Sequence, residues 1–160
     1  MFHTKYLKLP DLKLLAAIVL VTGLTACASG PGGVAVNIQS ARYLNPDVNG
    51  IASPLVVSIY QLKSPFTFNN ANYGSLANNS AAILGTDLID KQTMEIRPGE
   101  NKMINLDLTQ NTQYIGIVAG YRKINQAQWH TTIRIPGKGK GISIALNLES
   151  QGLSAHILKS

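Results

Sequence analysis

Apolar and polar residues alternate with a period of two along most of the chain from Val34 onward, the pattern of strands with one face on a core. Val34, Val36 and Ile38 alternate with Ala35, Asn37 and Gln39. Residues 54–63 are apolar on both faces at their centre, as in a buried strand. Met94 and Ile96 alternate with Thr93, Glu95 and Arg97, and Arg97-Pro98-Gly99-Glu100 then reads as a turn. Ile104, Leu106 and Leu108 share a face against Met103, Asn105 and Asp107. Residues 114–122 are again apolar on both sides, and Trp129, Thr131, Ile133 and Ile135 oppose His130, Thr132 and Arg134. Ile142, Ile144, Leu146 and Leu148 give the clearest alternation, and Leu153, Ala155 and Ile157 close the series after a turn at Gln151-Gly152.

One stretch departs from this period. Residues 66–90 carry Ala, Leu and Ile at helical spacing among asparagines, which predicts one or two short helices. Asn69 or Asn70 and Asn79 are the expected N-caps. The sum is an all-β fold: an antiparallel β-sandwich of about eight strands with a small helical insertion, one domain over residues 34–160.

The first residues follow a different logic. Lys5, Lys8 and Lys13 precede or enter an apolar run from Leu12 to Leu24, shorter than the roughly 20 residues a membrane span needs. The run ends in Leu24-Thr25-Ala26-Cys27, which resembles the lipobox of bacterial lipoproteins. Residues 1–26 are therefore expected to be a removed signal peptide, with acyl chains on Cys27. Cys27 is the single cysteine, so no internal disulfide exists, and acylation removes a thiol that an oxidising compartment would attack. Residue 28 is Ala, not the Asp that resembles an inner-membrane retention signal, which implies sorting to the outer membrane and a domain facing the periplasm. Residues 27–33 then form the lipidated cysteine and a tether. Its six residues after Cys27 reach only about 20 Å when extended.

Composition narrows the function classes. The chain holds 14 Lys+Arg and 8 Asp+Glu; losing Lys5, Lys8, Lys13 and Asp11 with the signal leaves 11 and 7, a net +4. No basic run exceeds Arg122-Lys123, so nothing points to nucleic acid. His130 and His156 each stand alone on the polar side of a strand pattern, where a solvated side chain is expected. Asp87 and Asp90 are spaced as a possible carboxylate pair but read better as a helix end or turn. Gly137-Lys138-Gly139-Lys140-Gly141 lacks phosphate-loop spacing and leads into a strand, so a hairpin with a positive tip is expected. Asn78-Asn79-Ser80 matches a glycosylation sequon, without force in a bacterial lipoprotein. No nucleophile or zinc pattern appears, and the expectation is a protein that is not an enzyme and takes no cofactor or metal.

The loop between the first two strands is longer than a hairpin needs. It comprises Arg42, Tyr43, Leu44, Asn45, Pro46, Asp47, Val48, Asn49, Gly50 and Ile51, then Ala52 and Ser53. Tyr43, Leu44, Val48 and Ile51 have no obvious core register, so the loop is a candidate binding element. The other reading is a loop folded back onto its own sandwich, its apolar groups capping the core.

Several of these segments, taken in order, carry a family resemblance. They are the lipobox, the Asn-rich first loop, Pro54-Leu55-Val56-Val57-Ser58-Ile59-Tyr60-Gln61-Leu62-Lys63, Phe66 with Tyr73 and Leu76, Leu84-Gly85-Thr86-Asp87-Leu88, Arg97-Pro98-Gly99-Glu100, Tyr114 to Arg122 and Trp129. Together they resemble the TssJ (SciN-type) lipoproteins of type VI secretion systems. The resemblance implies a transthyretin-like sandwich tethered under the outer membrane. It also implies binding to the periplasmic C-terminal part of TssM, within a complex that contains TssL, with residues 42–53 as a contact. Two other classes remain. A carrier of a lipid or glycan would need a roomy apolar cavity, and a periplasmic hydrolase would need a convergent triad.

Overall fold

A computed structural model describes residues 33–137 and 141–158. Residues 1–26, expected to be a signal peptide, Cys27, residues 28–32 and the tip of the Gly137–Gly141 turn lie outside the described residues. Eight strands form two four-stranded sheets among the described residues. The first has the order β4-β1-β7-β8, built from β1 (Gly33–Ser40), β4 (Asn101–Asp107), β7 (Ile142–Leu148) and β8 (Leu153–Leu158). The second has the order β3-β2-β5-β6, from β2 (Leu55–Leu62), β3 (Leu88–Ile96), β5 (Tyr114–Ala119) and β6 (His130–Arg134). Strand pairing is antiparallel with one exception: β1 runs parallel to β7, from Val34 opposite Ile142 to Ser40 opposite Leu148. The expected sandwich of about eight strands with a small helical insertion is present, with this one parallel pair within it.

The period of two explains the main core. Val34, Val36, Ile38, Leu106, Ile142, Ile144, Leu146 and Leu148 point from the first sheet to Leu55, Val57, Ile59, Ile96, Ile115, Ile117 and Ile133 of the second. Strands β2 and β5 are apolar on both faces because the second sheet has two covered sides. Its outer face holds Tyr60, Leu62 and Val118, which pack under Phe68, Leu76 and Leu84 of the insertion. The insertion comprises α1 (Phe66–Asn70) and α2 (Tyr73–Leu84), followed by a 3₁₀ turn over Gly85–Asp87. Gly116 makes room for it: a Cβ there would lie 2.7 Å from the Phe68 ring.

Three local expectations change. The N-cap of α2 is Asn72, whose side chain accepts from the Ser75 N–H at 2.9 Å, whereas Asn69 and Asn70 fall inside α1. Asn79 sits within α2 at a kink. Strand β3 starts at Leu88, so Asp90 belongs to a strand and Asp87 to the turn before it, and the two share no helical face.

Candidate functional site

The loop over residues 41–54 crosses from β1 in the first sheet to β2 in the second and is pinned at both ends. At its start, Ser40 Oγ donates to the Arg97 carbonyl at 2.7 Å and accepts the Glu100 N–H at 2.8 Å. The Ala41 N–H reaches the Leu148 carbonyl at 2.8 Å. Gly99 takes the positive φ of +72° that this corner requires, and its N–H bonds the Ala41 carbonyl.

Leu44 and Asn45 turn inward. Leu44 is fully buried in the main core. Asn45, 4% exposed with φ +45°, donates from Nδ2 to the Pro54 carbonyl and accepts the Arg122 N–H at Oδ1, both at 2.9 Å. Asparagine suits this place because its short amide tolerates the left-handed region and offers one donor and one acceptor. These two candidates are therefore buried and hold the loop to the domain, leaving the loop's exposed residues open to a partner.

Beyond them the tip closes on itself. Asp47 Oδ1 accepts from the Asn49 and Ile51 N–H groups at 2.9 and 2.8 Å. The Asp47 N–H bonds the Ile51 carbonyl, and the Gly50 N–H bonds the Asp47 carbonyl. Asn49 is exposed, and Gly50 has φ +77° beside the Tyr43 hydroxyl. This stiff tip displays apolar groups to solvent: Val48 is 99% exposed, Ile51 62% and Tyr43 54%. Arg42 is exposed and Pro46 half-buried at its flanks. Leu44 caps the core, as the fold-back reading expects, while Tyr43, Val48 and Ile51 face outward.

The remaining candidates are dispersed. His130 is not a solvated strand residue: its ring stacks on Trp129 at 4.0 Å between centroids and meets the edge of Phe68 at 6.0 Å. Its Nδ1 is buried with no hydrogen-bond partner among the described residues, and burial holds its pKa below the ordinary value. His156 lies exposed on β8. Asp87 accepts from Thr67, and Asp90 from Gln61, each at 3.4 Å. No group of three or more His, Cys, Asp or Glu could hold a metal, and no helix is long and apolar enough to cross a membrane, among the described residues.

A cleft beside the loop is lined by Asn45, Pro46, Tyr121 and Lys123, with Ala127, Ser150 and Gln151 opposite. Its cavity volume is only about 10 Å³, roughly room for one water, against the ~300–1,000 Å³ of ligand pockets. The Tyr121 hydroxyl is buried there, and burial and then the Glu149 charge push its pKa upward, so it stays protonated.

The model of a family described as type VI secretion lipoproteins, including VasD, EvfM and TssJ, matches residues 33–151, which contain the whole loop. The chain belongs to this family. Type VI secretion lipoproteins of known structure repeat the two-sheet sandwich. The TssJ1 lipoprotein of Pseudomonas aeruginosa is 30% identical with a TM-score of 0.77, over 81% of this chain and 98% of that one. Lip of Serratia marcescens, a membrane-bound component of its type VI secretion system, shares the fold at 20% identity and TM-score 0.73, over 81% and 98%. A chain in a structure of the TssM C-terminal domain from EAEC gives 19% and 0.63, over 80% and 98%. No curated protein sequence matches this lipoprotein closely enough to count.

Proposed function

We propose that this type VI secretion lipoprotein is a non-enzymatic anchor. Acyl chains on Cys27 fix it to the periplasmic face of the outer membrane, and residues 42–53 bind the periplasmic C-terminal part of TssM. TssL joins indirectly, within the same membrane complex. The observation that carries the reading is the separation of two ends. The chain enters the domain at Gly33, and the loop leaves at Ser40, the far end of the same strand. At about 3.3 Å per residue, eight residues put roughly 25 Å between lipid tether and loop. A domain with its lipid at one end and an apolar, preorganised tip at the other is built to join two things. The likeness to chains in a type VI membrane complex and in a TssM structure supports TssM as the second of them.

An exposed apolar tip held by internal hydrogen bonds favours protein contact, because the ordering entropy is already spent before binding. The carrier reading has no comparable support: Ile, Leu and Val fill the space between the sheets.

Calorimetric titration of the TssM periplasmic domain with the soluble lipoprotein domain tests the loop. Val48→Asp together with Ile51→Asp should abolish binding while the circular dichroism spectrum is retained. Unchanged affinity would remove the loop from the interface. In cells, Cys27→Ser should release the protein into the periplasm and stop secretion; secretion that continues would end the anchoring account.

A further inference from the structure

We infer that β1 and the loop after it form a direct mechanical path between lipid and partner, one that keeps tension out of the rest of the fold. The inference rests on the anchor reading above, in which the two pulls act at Gly33 and at the loop tip. Between Gly33 and Val48 lie fifteen residue steps, whose full extension is only about 50 Å. Strand β1 is already extended, so its own slack is small. What slack exists lies in residues 41–47, and three clamps hold it: the Ser40 bonds to Arg97 and Glu100, the buried Leu44, and the Asn45 bridge to Pro54 and Arg122.

The position of β1 strengthens the path. It is an inner strand, paired at seven positions with β4 on one side and at seven with β7 on the other. Because both pulls act at the ends of β1, tension runs along its covalent backbone, while the two ladders keep the strand straight and in register. Residues from Pro54 onward lie off the path, and unravelling them would not move lipid and partner further apart. The other turns at the loop's end of the sandwich, at residues 97–100, 120–128 and 149–152, are as far from Gly33 in space. Contact there would put 60 or more residues of folded chain under load. Leu158 offers the opposite case. It ends an edge strand with β7 as its neighbour, near the end where the chain enters, so pulling there peels β8 bond by bond.

Force spectroscopy on the unlipidated mature chain tests this without TssM. Cys27, its single cysteine, supplies one attachment point; Val48→Cys or Leu158→Cys supplies the other. The Cys27–residue 48 pair should resist roughly twice the force that unfolds the Cys27–residue 158 pair, or more, since forced unfolding follows the barrier along the pulled direction. Equal or lower resistance for the first pair would overturn the inference. Because no partner is present, failure here is separate from failure of TssM binding. A domain strong along β1 that ignores TssM would refute the anchor reading alone.

Discussion

The side-chain carbonyl of Asn45 accepts the backbone N–H of Arg122, 77 residues further along the chain, at 2.9 Å. Its amide meanwhile donates to Pro54. One buried residue thus ties the loop over residues 41–54 to the ends of two strands of the second sheet. Asn45→Ala should leave the Arg122 N–H and the Pro54 carbonyl without partners, at a cost of about 1–3 kcal/mol for each group that stays buried. Urea unfolding measures that loss. TssM affinity should fall as well, although Asn45 is 4% exposed, because the tip loses its fixed orientation.

Leu44 and Val48 are four residues apart and should behave oppositely. Leu44→Ala removes a fully buried side chain from the main core and should cost about 2–5 kcal/mol. Val48→Asp changes a 99% exposed residue and should shift stability by no more than about 0.5 kcal/mol while removing partner binding. Paired unfolding and titration experiments separate the two, and a stability loss at Val48 as large as that at Leu44 would contradict the loop geometry.

Gly116 lies under the helical insertion. A methyl group there would sit 2.7 and 2.8 Å from two Phe68 ring atoms and 3.0 Å from a Leu62 methyl. Gly116→Ala should therefore destabilise the domain by about 1–3 kcal/mol through overpacking. The melting temperature reads this directly. Double substitution with Phe68→Leu should recover part of the loss; no recovery would place the strain elsewhere.

His130 gives the domain a pH dependence of defined sign. Desolvation lowers its folded-state pKa below the ordinary 6.5, so the unfolded chain binds that proton more readily. Stability from this group is complete above the unfolded value and declines as pH falls below about 6.5 toward the folded value. His130→Phe should flatten the change in urea midpoint between about pH 7.5 and about pH 5.5. An unchanged slope would mean that other groups carry it.

Most strands were legible because burial on one face writes a period of two into the sequence, and β2 and β5 revealed two covered faces in the same way. Other features were hidden for physical reasons. His130 occupies the outward parity of β6, which reads as polar until the insertion is known to cover that face with Phe68. Asn72 was one of several asparagines in the insertion, any of which could cap a helix, and only the backbone geometry distinguishes it. Leu44 has Val48 and Ile51 at helical spacing, but Pro46 and Gly50 break any helix there and both those residues are exposed, so periodicity does not mark it as core. Asn45 acts through Arg122, and a hydrogen bond across 77 residues leaves no local trace.

The parallel pairing of β1 with β7 also sets an order of events in time. Asn37 finds its side-chain partner, Ser143, 106 residues later, and β4 supplies only one flank of the strand. A chain delivered N-terminus first therefore cannot flank β1 on both sides until residues near Leu148 have emerged, and such distant pairings are slow to form. For that interval β1 is paired at most on its β4 side. On the anchor reading proposed above, enzymes that acylate Cys27 and cut before it would act while this strand is still open on one side.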